Sequence, residues 1–470
     1  MNILKATSKL TVVNFINKFL SLGAITLLAR ELGPKSIGAY FLFESLLVIF
    51  RIPADFGFLG AIEKRISEGD ASSEFVTMGV ILKTIPLLIC IGVISMISGQ
   101  INTYLGSDLA SLLIIGLVLR EYSEMSIRML TGELRVGETA VLRLLKQTVW
   151  VVTSVVLVYA TSLREKALVY GLLLALFVML VDGWRRTDTP FGPLRLERAK
   201  SLWSYAKYNS ISTISSVGHN WLDVTVLGIF FGPAAVGIYE IAWRITSGLL
   251  ILPQAFAETL IPQVSKWHSN NEYDRIESLI PKGLVISLLI PLSALVGLYV
   301  LSDGVLVTIF GPEYLGAATA LVILAGGRCI EAAHFVIGRT VHGLDRPDLG
   351  ALIGVITFLA NLILNLLLVP LYGVTGASIA TVLSFSIGTL ILTFKFAQMV
   401  DLRLPVKSIG YICIPLYVMS VVTTVLRTYL GTGTAARVLI IVGIGAITYF
   451  VSIYLLAPLR QELKQTMQTL

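Results

Sequence analysis

The chain has 470 residues, 55% of them hydrophobic and only 14% charged, with a formal net charge of +7. Soluble domains average about 45–50% apolar and about 25% charged residues. With a mean hydropathy of +0.83, this chain has too few polar residues to cover a soluble enzyme of its size. The three cysteines (Cys90, Cys329, Cys413) lie in apolar runs without CxxC spacing, so neither a disulfide framework nor a metal site is expected. The basic residues are spread between hydrophobic runs. That distribution suits the loops of a membrane protein and argues against nucleic acid as a partner.

Apolar runs of about 17–25 residues predict an all-α integral membrane protein with about fourteen transmembrane helices. They fall at roughly 10–30, 37–59, 76–98, 109–129, 141–160, 166–183, 208–230, 237–260, 281–301, 315–338, 350–370, 374–394, 408–427 and 434–457. Leu349 to Phe394 is uncharged for 46 residues, too long for one span, and Pro370–Leu371–Tyr372–Gly373 divides it. The first apolar run, Leu10 to Ala29, is too long for the core of a signal peptide. It contains Asn14, Asn17 and Lys18 and lacks an A-x-A site, so it is read as a span.

Orientation follows from Lys and Arg counted in alternate loops. The side of the N-terminus holds 23, including six between residues 184 and 207, and the opposite side holds six. The remaining seven of the 36 fall within spans. A missed or invented helix would scramble this asymmetry, so both termini are expected in the cytoplasm of a multi-pass cell-membrane protein.

The chain repeats itself. Leu32–Gly33–Pro34, Ile37–Gly38 and Tyr40 recur 199 residues later as Phe231–Gly232–Pro233, Val236–Gly237 and Tyr239. Arg51 with Pro53, and Arg244 with Pro253, mark the helices that follow. Six spans separate the repeats, so both run in the same sense. The expected architecture is two parallel six-helix halves, 1–183 and 208–400, a basic linker at 184–207, and two further helices in 401–470. Parallel repeats of this kind place a substrate site between halves that rock in alternating access.

Gly33–Pro34 with Gly38 and Tyr40, Phe310–Gly311–Pro312–Glu313–Tyr314, and Val369–Pro370–Leu371–Tyr372–Gly373–Val374–Thr375–Gly376–Ala377 carry a resemblance. The chain resembles the polysaccharide transporter (Wzx-like) family of the multidrug/oligosaccharidyl-lipid/polysaccharide superfamily, over nearly its whole length. Phe50–Arg51–Ile52–Pro53 also looks like the second helix of the related lipid II flippases. The resemblance implies a MATE-like fold and a flippase that moves a polyprenyl-linked oligosaccharide to the outer face. A lipid II flippase and a drug/cation antiporter are the alternatives within the superfamily.

Charged side chains at bilayer depth cost about 2.5–3.5 kcal/mol each even on insertion scales, so they face an interior or a wet cavity. In the seventh span Asn209, Ser212, Ser216, His219 and Asp223 form one polar stripe. It is read as cavity lining, with a polar helix seam as the bland reading. The first span carries Asn14, Asn17, Lys18 and Ser21 on one face. Arg51 with Asp55, and Glu240 with Arg244, stand four apart and are suited to neutralise each other within a helix. In transporters of the resembled family, helices 1, 2 and 8 face a central cavity. This implies that Lys18, Arg51 and Arg244 meet the substrate diphosphate, which guanidinium groups grip bidentately.

Glu121, Glu124 and Arg128 share a face of span 4, and Arg328, Glu331 and His334 recur at steps of three in span 10. Structural salt bridges are the simplest reading; an inter-half latch, or a proton path through Glu331 and His334, are the others. Lys83, near a span start, is expected to snorkel to the interface. No Gly-Lys dipeptide, HExxH or GxSxG occurs, so neither a P-loop nor a hydrolase motif is present, and the chain is not expected to be an enzyme or to need a cofactor. The longest outward loop, 302–314, is too short for the catalytic site of a polytopic glycosyltransferase or ligase, and a non-transporting scaffold would not explain the ionisable groups. The expected partners are the lipid-linked oligosaccharide, membrane lipids and other glycan-assembly membrane proteins, with the chain itself a monomer. The loop at 184–207 is a topology signal first and an anionic-lipid contact second.

Cysteines introduced at residues 64–74, 184–207 and 395–407 should label from the cytoplasm, and those at 302–314 from outside. Labelling of the 184–207 loop from outside would overturn the span count.

Overall fold

The computed structural model describes residues 3–402 and 405–461, and within them the side chains of residues 13, 15–207, 221–402 and 405–461. Every regular element among the described residues is helical. Hydrocarbon offers no water to free N–H and C=O groups, and a helix satisfies them within one segment. The first helices are α1 (Ile3–Asp55), α2 (Phe58–Ser67), α3 (Ser72–Met96), α4 (Ser98–Leu105), α5 (Ala110–Gly132), α6 (Val136–Ala160) and α7 (Glu165–Arg186). They continue with α8 (Leu196–Ser247), α9 (Ile251–Ser269), α10 (Tyr273–Val305), α11 (Ala318–Gly343), α12 (Pro347–Ala397), α13 (Val406–Leu430) and α14 (Ala435–Leu455).

Three of these are more than twice the length a bilayer needs. Each breaks at a glycine with non-helical backbone: Gly33 in α1 (φ 72°, ψ 172°), Gly232 in α8 (φ 72°, ψ −171°) and Gly373 in α12 (φ 54°, ψ −127°). Proline follows immediately at 34 and 233 and removes an amide donor there, while glycine tolerates the positive φ. Among the described residues, counting both sides of each break, joining α9 to the part of α8 after Gly232, taking the bent pair α4–α5 as one span and leaving out the short α2 gives the fourteen spans expected. The bend of 96° between α4 and α5 has a local cause. Asn102 Oδ1 accepts the Leu109 and Ala110 amides at 3.0 and 2.9 Å, capping α5 from the preceding helix.

Two features differ from the sequence expectation. The second span ends at Asp55 rather than at 59, because Phe56 and Gly57 take positive φ and α2 starts afresh. Asp55 Oδ1 accepts the Leu59 amide at 3.0 Å, while Phe58, Leu59, Ile62 and Ile66 turn inward. The segment at 302–314 is wound rather than irregular: α10 runs on to Val305, followed by a π turn at Leu306–Phe310 and a 3₁₀ turn at Pro312–Ala317.

The chain forms two compact units, Met1–Gly237 and Ile238–Leu470. In the first, α6 packs on α7 and α1, and α5 on α7 and α2. Small residues let these backbones approach: a side chain at Gly171 would strike Ser154, and one at Gly183 would strike Ser126. The repeated Gly-Pro motif also packs on itself inside this unit. A Cβ on Gly38 would collide with the Pro233 carbonyl, and one on Gly237 with the Pro34 carbonyl. In the second unit α11 packs on α12, α10 and α9 around Val264, Leu284, Val336 and Phe396. There α13 and α14 seal against α10, where Tyr449 donates to the Leu289 carbonyl at 3.0 Å.

Gly38→Ala should lower the melting temperature of the purified protein sharply, since overpacking against backbone costs about 1–3 kcal/mol or more. Gly92→Ala, where nothing lies within 4 Å of the added carbon, should leave it unchanged or raise it. Equal melting of both variants would refute the close approach.

Candidate functional site

In the first unit the sequence sets four charges on three neighbouring helices. Lys83 on α3 has no exposed side-chain surface, and its Nζ stands 2.6 Å from Glu121 Oε2 on α5 and 3.6 Å from Asp55 Oδ1 on α1. Arg51 Nε completes the set at 3.7 Å from Glu121 Oε1. The expected snorkelling of Lys83 is therefore wrong. Two carboxylates from other helices compensate the buried ammonium, and its stem does not have to reach the interface. Arg51 makes its ion pair with Glu121 on α5, and Asp55, four residues on in its own helix, acts on it at longer range alongside Glu124.

A second group of charges adjoins this set. Glu124 lies within electrostatic range of Arg51, Arg120, Arg143 and Lys146, and Glu44 is in range of Arg120 and Lys146. All but Arg143 are half-buried. Together with the quartet, five cations face four carboxylates; the buried and half-buried groups balance four to four, and the exposed Arg143 supplies the excess. Such a cluster is chemically suited to hold an anion, which would balance that excess.

In the second unit Arg244 Nε stands 3.3 Å from Glu240 Oε2, the i,i+4 pair expected; a quarter of the Arg244 side chain remains exposed. Beside it in sequence is Trp243, and Arg328 on α11 lies 4.0 Å over its ring. Its guanidinium also donates to Glu331 Oε2 at 2.6 Å, to Ser247 Oγ at 3.2 Å and to Thr246 Oγ1 at 3.4 Å. His334 Nδ1 meets Thr389 Oγ1 at 3.1 Å rather than Glu331.

The remaining predicted residues distribute as follows. Lys18 is exposed on α1; Asn17 is half-buried with Oδ1 lacking a hydrogen-bond partner among the described residues. Asp223 is buried at 4% exposure. The side chains of Asn14, Asn209, Ser216 and His219 lie outside the described residues. Arg128 bonds Glu63 Oε2 at 2.7 Å on α2, away from Glu121. The basic linker is folded onto the first unit: Arg198 bonds Glu74 at 2.8 Å, Trp184 stacks on Phe191, and the Gly192 amide donates to the Ser73 carbonyl at 3.1 Å.

Sequence reasoning missed Glu44, Arg120, Arg143, Lys146 and Trp243. A signal existed for one of them: Arg120 stands four residues before Glu124 in the fourth span. The chain offers no local cue for the others, whose partners come from different helices.

Lys83→Met should lower stability by about 3–5 kcal/mol, because it strands two buried carboxylates. Lys83→Met with Glu121→Gln should recover part of that loss. A double-mutant cycle read by thermal unfolding checks this, and strict additivity would disprove the pairing.

Comparison with known proteins agrees with this architecture. The family model for polysaccharide biosynthesis protein matches residues 27–319. Over 98% of each chain, 37% of residues are identical to the "Probable low-salt glycan biosynthesis flippase Agl15" of Haloferax volcanii. The "Probable flippase AglR" of the same organism is 30% identical over 93% of this chain and 92% of its own. Among solved structures, the lipid II flippase MurJ in an inward closed conformation superposes with a TM-score of 0.78 at 17% identity, covering 95% of this chain and 98% of that one. An inward-facing multidrug resistance MATE transporter gives 0.62, covering 84% and 98%. At such identities these structures share the fold alone. The chain belongs to the polysaccharide biosynthesis protein family, the Wzx-like flippases of the multidrug/oligosaccharidyl-lipid/polysaccharide superfamily.

Proposed function

We propose that this protein flips a polyprenyl-(di)phosphate-linked oligosaccharide from the cytoplasmic to the outer face of the cell membrane, by alternating access, in the assembly of a surface glycan. The observation that carries this reading is full-length kinship with a relative named as a glycan biosynthesis flippase. The transported molecule is amphipathic: a long apolar tail, an anionic linker and a polar glycan. The tail is soluble in the bilayer, so the protein's task is to shield the anion and the glycan.

Arg244, Arg51 and Lys18 are proposed to receive the phosphate groups, because Arg and Lys supply charge-assisted hydrogen bonds that hydrocarbon cannot. Asn14, Asn17, Asn209, Ser216, His219 and Asp223 are proposed to meet glycan hydroxyls. Both termini are assigned to the cytoplasm from the loop charge asymmetry. The protein breaks no bond of its substrate in this scheme; it lowers the cost of carrying polar groups across the bilayer. The pairs Arg328–Glu331 and His334–Thr389 are assigned structural roles, since each closes locally.

Arg244 decides between structure and transport. As a closed pair with Glu240, either Arg244→Ala or Glu240→Ala would strand a charge and reduce folded protein. As a phosphate ligand, Arg244→Ala should fold and lose at least tenfold in flipping of a labelled lipid-linked glycan in vesicles, normalised to folded protein. Arg244→Lys should restore part, keeping charge but not the planar fork. Full activity in Arg244→Ala would remove it from the site.

A further inference from the structure

We infer that Trp243 is a sugar-stacking platform, a subsite for the first pyranose next to the phosphate linker. This inference deepens the flippase reading and rests on it. The argument starts with the exposed face of α8 after its break. Tyr239, Glu240, Ile241, Ala242 and Thr246 are buried, whereas Trp243, Arg244, Ser247 and Gly248 are half-exposed. One patch therefore presents an indole, a guanidinium, a hydroxyl and a glycine with nothing within 4 Å of its missing side chain.

That combination is unusual for a helix that merely packs. An indole on a lipid-facing helix usually marks the headgroup level, where its N–H is wet. Trp243 is instead fixed from behind. The Arg328 guanidinium lies over its ring at 4.0 Å and is itself held by Glu331, Thr246 and Ser247. Arg328 is 4% exposed, so the cation is desolvated and the cation–π contact is at the strong end of its range. Tyr239 stacks along the same helix at 6.2 Å between ring centres. The indole is thus immobilised before any ligand arrives, which removes most of the ordering cost of binding.

A pyranose has an apolar face of C–H bonds and an equatorial rim of hydroxyls. Its apolar face suits a rigid aromatic plane, much as nucleobases stack on aromatic side chains. Its hydroxyls suit the neighbouring Arg244; Ser247 Oγ already donates to the Trp243 carbonyl at 2.7 Å and accepts from Arg328, so it serves to hold the platform. Arg244 is adjacent to Trp243 in sequence and half-exposed on the same patch, so a phosphate held by Arg244 would carry its first sugar toward Trp243. Specificity then divides: the guanidinium selects for the anionic linker, and the indole selects for a linker that bears a sugar.

The experiment measures binding of two probes to the full-length protein in nanodiscs: a prenyl diphosphate, and the same prenyl diphosphate bearing one hexopyranose. The native protein should bind the glycosylated probe more tightly. Trp243→Leu should weaken the glycosylated probe about tenfold and leave the bare diphosphate within twofold, and Trp243→Phe should stay within about threefold for both. The glycosylated probe should also quench tryptophan emission of the native protein and not of Trp243→Phe, a readout that does not need Trp243→Leu to fold. Equal loss for both probes, or no loss and no quenching, would overturn the stacking role while leaving the flippase reading intact. If the native protein binds neither probe, the flippase reading fails and the subsite with it.

Discussion

A charge in hydrocarbon has to bring its counter-charge with it, and the first unit is organised around that requirement. Lys83 has no exposed surface, and only the carboxylates of Glu121 and Asp55 make its position tolerable. Because those carboxylates sit on α5 and α1, meeting the ammonium fixes α1, α3 and α5 against one another in rotation and in height. Asp55 is used twice, since the same oxygen caps α2 through the Leu59 amide. Buried ion pairs return little net stability against desolvation. What this one supplies is register: a helix that slipped by one turn would strand an ammonium in lipid.

The span count and the breaks were legible in the sequence because hydropathy and the Gly-Pro rules are local. Gly33 and Gly232 have the same φ of 72°, as a repeat of one backbone motif requires. The ion pairs were legible only in part. Arg51–Asp55 and Glu240–Arg244 have identical i,i+4 spacing, yet only the second is a pair within its helix. The difference is Lys83, which comes from α3 and draws Glu121 to 2.6 Å and Asp55 to 3.6 Å, while Arg51 shares Glu121 at 3.7 Å. Nothing near residue 51 announces that competitor. Spacing gives the set of partners a side chain can reach on its own helix, and tertiary packing chooses among a larger set.

Arg143 and Lys146 show the same limit from the other side. Counted as loop charges, they strengthen the topology signal. In the fold they lie on α6, which begins at Val136, and they share an electrostatic neighbourhood with Glu124. Both descriptions hold, because a cation at the end of a span can serve orientation during insertion and a buried cluster afterwards. The hydropathy boundary at 141 marks where the apolar run starts, whereas the helix starts earlier, where backbone amides still need partners.

The duplicated backbone has diverged in its side chains. The first unit collects cations: Arg51, Arg120, Arg143 and Lys146 outnumber the carboxylates near them once Lys83 has taken its own. The second unit keeps Arg244 but spends Arg328 on the ring of Trp243. Tyr40 and Tyr239, the matching aromatics of the repeat, point up the asymmetry. Tyr40 stacks on Trp150 across to another helix, whereas Tyr239 stacks on Trp243 four residues along its own. Tyr239 also reaches α12, with its hydroxyl 3.4 Å from Thr381 Oγ1, so both copies tie helices together and the second also stacks along its own helix.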